Sequence, residues 1–68
     1  MSELNTQANI KAPDEFYAKL LAVHEGLSKA ESDAFNARLI LLLANHIGDR
    51  QVLSEALRAA SLTEEVSL

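Results

Sequence analysis

Four polar residues in or beside the stretch "RLILLLANHIGD" carry side chains that could do chemistry: Arg38, Asn45, His46 and Asp49. An imidazole and a carboxylate are the groups of proton transfer and of metal ligation. Arg38 stands seven residues before Asn45, so on a helix the two share a side, and its guanidinium could hold an anion there. Together they would make a small-molecule or metal site at a helix end, where backbone groups are also free.

A plainer reading accounts for most of the cluster. Asn45 can hydrogen-bond within the last turn or to a neighbouring helix. His46 is placed to meet the free carbonyls and the negative end of the dipole. Gly48 stops the helix and Asp49 caps the next one. Arg38 is harder to absorb, because a buried cation beside a leucine run must be paired. Glu31 is two turns back and too far for an ideal pair. An acid from another helix or another subunit fits better, with Asp49 and Glu25 as candidates.

The rest of the sequence offers little more to catalysis. There is no cysteine, which excludes disulfides, thiolate metal sites and thiol nucleophiles. His24 and His46 are the two histidines, so a zinc site would need carboxylates to complete it. No serine precedes a convincing base, no glycine-rich phosphate loop exists, and no paired carboxylates sit on a rigid face. The expectation is a protein that is not an enzyme and uses no cofactor.

Charge and composition narrow the partners. The net charge is -4 and the six basic residues are scattered from Lys11 to Arg58. Aromatic side chains for stacking are limited to Phe16, Tyr17 and Phe35, so nucleic acid is not an expected partner. The longest near-apolar run, Leu39 to Ala44, falls well short of the roughly 20 residues of a membrane span. The N-terminus shows no secretory pattern. A soluble, cytoplasmic protein is expected.

The elements that would position the polar cluster are helices. Residues 1–12 lack periodicity and read as a flexible arm, with Ile10 able to tuck against the body. Pro13 suits a first helical turn, and Asp14 and Glu15 put negative charge where the dipole favours it. Phe16, Leu20, Val23 and Leu27 then form a one-sided stripe, giving a first helix over 13–25 that ends at Gly26. "SKAE" sets Ser28 three residues before Glu31, a capping box, with Leu27 placed as a hydrophobic staple. Helix two follows over 29–47, uninterrupted by glycine or proline. Asp49 opens helix three over 50–60, with a stripe of Val52, Leu53, Ala56, Leu57 and Ala60 and with Gln51, Glu55 and Arg58 outside. The fold class is all-α: one three-helix domain over 13–61 and a frayed acidic tail over 62–68.

Helix two is the anomaly. Ser32, Asp33 and Asn36 give its first half a wet side, but Leu39 to Ala44 cover nearly every direction around the axis. Only Glu31, Arg38 and Asn45 keep a polar line, recurring every seven residues. Helices one and three could cover about two thirds of such a cylinder, and an exposed strip of leucines would aggregate. Leu39, Ile40, Leu42, Leu43 and Ile47 are therefore the predicted interface. A second copy of helix two, antiparallel about a two-fold axis, would cover it and make a homodimer. A groove on another protein is the rival.

"DEFYAKLLAVHEGLS", "NARLILLLANHIGD" and "VLSEAL" together resemble a family of small proteobacterial proteins catalogued as domain of unknown function 2783. The likeness covers about Pro13 to Ala60, and "LILLLANHIGD" is its specific part. The resemblance implies an accessory protein associated with a larger enzyme, a flavin-dependent hydroxylase of aromatic breakdown. It implies no catalytic residue. Two functions follow as expectations: a non-catalytic helical interaction protein, or a small-molecule or metal-binding module around Arg38, Asn45, His46 and Asp49 at a dimer interface.

Overall fold

Helix ends in this chain are set by a handful of side chains that satisfy backbone groups the helices leave open. A computed structural model, which describes residues 3–62, contains three α-helices: α1 (Pro13–His24), α2 (Lys29–Ile47) and α3 (Arg50–Leu62). No strand occurs among the described residues, and the architecture is all-α, as the periodicity predicts. Two boundaries differ from expectation. Glu25 is the extended C-cap of α1 and not its last residue. α3 continues two residues past 60, so Leu62 belongs to the helix, while the remainder of the expected acidic tail, 63–68, lies outside the described residues.

α1 begins at proline. Ala12, in the left-handed conformation with φ 50°, offers its carbonyl to the N–H groups of Glu15 and Phe16 at 3.1 and 3.3 Å. No side chain caps this end. Asp14 and Glu15 in the first turn complement its dipole instead.

Between α1 and α2 the chain reverses in four residues. The N–H of Leu27 donates to the carbonyl of His24 at 3.2 Å, with Glu25 at φ -61°, ψ 132° and Gly26 at φ 78°. These are the angles of a type II turn, whose third residue needs positive φ and so favours glycine. Ser28 and Glu31 then exchange hydrogen bonds. The Ser28 N–H donates to Glu31 Oε1 at 2.8 Å, and the Glu31 N–H donates to Ser28 Oγ at 3.1 Å. This is the capping box the sequence spells. The staple does not form in the expected sense: the position that would meet Leu27 is Ser32, a serine whose hydroxyl is bonded to His24.

At the second junction the Gly48 N–H still donates to the Ala44 carbonyl at 2.9 Å, and Gly48 adopts φ 69°. One residue on, Asp49 Oδ1 accepts from the Val52 N–H at 2.9 Å, and the Asp49 carbonyl accepts from Leu53. Stop and start are adjacent, as read from "GD".

The described chain divides into two compact units, 10–41 and 3–9 with 42–62, with the division inside the unbroken α2. In the first unit the half-covered residues are Leu20, His24, Ser32, Phe35 and Leu39. In the second they are Leu4, Ala44, Asp49, Val52, Leu53, Glu55, Ala56 and Ala59. No side chain among the described residues is fully buried. Three details depart from expectation. Leu4, and not Ile10, is the half-covered residue of the arm. The covered side of α3 runs through Val52, Ala56 and Ala59 and includes Glu55, while Leu57 points to water.

Two predictions follow from the capping box. Ser28→Ala should cost about 1 kcal/mol, read as a fall in melting temperature of roughly 4 to 8 °C for a domain of this size. The second concerns acid. The Ser28 N–H foremost, and then its hydroxyl, hold the Glu31 carboxyl below its ordinary 4.5. A carboxyl with the lower pKa in the folded state contributes stability in full above its unfolded value, and that contribution is lost as pH falls through the folded one. The melting-temperature gap between wild type and Glu31→Gln should thus shrink as the pH drops below 4.5; a gap constant with pH would contradict the assignment.

Candidate functional site

Of the four polar residues of the "RLILLLANHIGD" stretch, Arg38, Asn45 and His46 are exposed and Asp49 is half covered. Asp49 is engaged as the cap of α3 and has a further interaction besides. Asn45 and His46 lie in the last turn of α2, both exposed, with His46 the basic residue of that turn. Arg38 is exposed on the same helix, two turns earlier. The ion pair formed among the described residues joins Lys29 to Asp33 at 2.8 Å, one turn apart on the surface, and Arg38 is not part of it. No group of three or more histidine or acidic side chains converges closely enough among the described residues to hold a metal ion. The capping reading of Gly48 and Asp49 therefore has direct geometry behind it.

The side chain that joins α1 to α2 is a different histidine. His24 Nδ1 lies 2.9 Å from Ser32 Oγ, and its ring meets Phe35 edge-on, with centroids 5.1 Å apart and planes at 73°. Edge-to-face contact suits the ring quadrupoles. Ser32 reads from the sequence as part of a wet side, yet it is half covered because His24 reaches it. Local cues do contain a signal for this contact. A type II turn at Gly26 and a cap at Ser28 bring the end of α1 back to the first turn of α2, where residue 32 is one turn past the cap. Tyr17, which shares a helix side with His24, instead stays exposed.

α2 exposes a run of consecutive large apolar side chains. Ile40, Leu41, Leu42, Leu43 and Ile47 are 64, 70, 69, 50 and 50 % exposed. Of the five residues predicted as an interface, Leu39 is half covered, while Ile40, Leu42, Leu43 and Ile47 are open. Leu41, absent from that set, is the most exposed residue of the run. Along α2 only Ser32, Phe35, Leu39 and Ala44 are partly covered, less than the two thirds expected from two flanking helices. At about 100° per residue, the open residues separate into two sides. Ile40, Leu43 and Ile47 make one stripe. Leu41 and Leu42 flank the line of Arg38 and Asn45 on another. No helix among the described residues is long and apolar enough to cross a membrane.

Elsewhere, one oxygen of Glu55 is shielded from water and has no hydrogen-bond partner among the described residues. Burying an unpaired carboxylate oxygen is costly, and the expected placement of Glu55 on the outer side of α3 is corrected by it.

The family model described as "Protein of unknown function (DUF2783)" matches residues 4–62. The chain belongs to that family. No curated protein and no solved structure matches it.

The Asp49 assignment can be tested by substitution. Asp49→Ala should cost about 1 kcal/mol, and Asp49→Ser should recover most of it, because a serine hydroxyl also caps. Chemical denaturation of the three proteins measures both effects; a serine variant as weak as the alanine one would mean that the carboxylate is needed for something other than capping.

Proposed function

We propose that this DUF2783 member is a non-catalytic helical interaction protein, homo-oligomeric through α2 and accessory to a larger enzyme. The observation that carries the reading is the open run on α2: an isoleucine and three leucines in succession, each at least half exposed, with Ile47 one turn on. A monomer seldom leaves so continuous an apolar strip in water, and strips of this kind mark protein contacts. Covering one leucine is worth about 1.5 to 3 kcal/mol, which is large beside the stability a chain of this length can draw from its own interior.

The stripe of Ile40, Leu43 and Ile47 is the part assigned to the larger enzyme. Its spacing of three, four and seven is that of an amphipathic helix seated in an apolar groove. The association with flavin-dependent hydroxylases of aromatic breakdown, implied by the family resemblance, names the class of enzyme to try first. The rival reading, a ligand site built on Arg38, Asn45, His46 and Asp49, has less support, since Asp49 is committed to the α3 cap.

Co-purification from the native host tests the proposal. Tagged wild type should recover a larger enzyme, and Ile40→Glu should lose it while keeping the helical circular dichroism of the wild type. Recovery of the same proteins by both would overturn the reading.

A further inference from the structure

On α2 the residues Arg38, Leu41, Leu42 and Asn45 are spaced symmetrically, with intervals of three, one and three. At about 100° per residue they fall within a strip about 100° wide, with Leu41 to one side of the Arg38–Asn45 line and Leu42 to the other. Leu41 and Leu42 are the two most exposed large apolar side chains of this helix. Neither Arg38 nor Asn45 has a side-chain hydrogen bond or ion pair among the described residues, whereas Lys29 and Glu31 on the same helix do.

We infer that this strip is the contact between two antiparallel copies of the chain, with the two-fold axis between Leu41 and Leu42. The inference rests on the reading of α2 as an interaction surface and specifies one occupant of it. Reversing a helix about that axis carries position 38 onto position 45 and position 41 onto position 42. Leu41 and Leu42 of both copies then meet at the centre. At each end, the Arg38 guanidinium of one copy comes opposite the carboxamide of the second copy's Asn45.

That pairing is chemically complementary. A guanidinium has only donors, and the Asn45 carboxamide oxygen accepts, so each end of the contact is closed by a charge-assisted hydrogen bond. The parallel arrangement has no such match. It would bring Arg38 against Arg38 and set like charges beside each other in a drying contact. The antiparallel one also sets opposite helix dipoles side by side. Ala34, one turn before Arg38 and on the same strip, leaves room for the close approach such a pair needs. The strip carries both halves of this donor–acceptor match, one at each end, which is why a second copy is the occupant chosen.

The test uses the full chain. In equilibrium sedimentation at micromolar concentration, wild type should behave as a species of twice the 7.4 kDa chain mass. Leu41→Glu should sediment at the single-chain mass with unchanged helical circular dichroism, since residue 41 is open within the chain. The native chain has no cysteine, so orientation can be read by cross-linking. A mixture of Arg38→Cys and Asn45→Cys chains should form the mixed disulfide in preference to either like pair. A wild type that sediments as a single chain, or like-with-like disulfides that predominate, would overturn the inference. Failure here with enzyme capture still lost in Ile40→Glu removes the dimer and leaves the accessory reading standing. Dimer formation with no effect of Ile40→Glu on capture does the reverse.

Discussion

Ser28 and Glu31 trade two hydrogen bonds across one turn, and the arrangement of the first two helices depends on that exchange. The cap determines where α2 starts, and therefore which side of its first turns faces back toward α1. With the start at Ser28, Ser32 and Phe35 sit under His24, and Leu39 follows on the same side. A start one residue later would swing that side by about 100° and set the imidazole against a different part of the helix. Gly26 supports the cap, because positive φ at that point lets His24 and Leu27 close the turn that feeds it.

Helix limits were legible because they are written in local chemistry. Pro13, the Ser28–Glu31 pair and the Gly48–Asp49 pair each act on backbone groups a few residues away, and each does what its spacing implies. Faces were less legible, since they depend on groups distant in sequence. The α3 stripe shows this. Val52, Leu53 and Ala56 are covered as read, but Leu57 is not, and Ala59 takes its place. Hydropathy ranks leucine above alanine, yet it is the alanine that is half covered. Ser32 misled for a related reason: a polar side chain counts as wet until its partner, here His24, is known.

The polar cluster was half legible. Gly48 and Asp49 are a stop and a cap, which needed only adjacent residues to recognise. Arg38 and Asn45 gain their proposed role only when taken together along the helix, as two groups without side-chain partners among the described residues and equidistant from a leucine pair. Their spacing is visible in the sequence, whereas the lack of a side-chain partner for either among the described residues is seen only in the structure. Leu41 shows the same limit from the apolar side, because a run of six apolar residues gives no hint of which one projects furthest into water.

Among the described residues no side chain is wholly withdrawn from solvent. A partner that covers α2, as proposed, would enter the folding equilibrium itself, so the fraction of folded chain would rise with the amount of cover available. For such a molecule, abundance is a folding variable. Dilution in a growing cell, or loss of a binding protein, would lower the native population without any change in temperature, pH or sequence, and the unfolded surplus would be the form that proteases find.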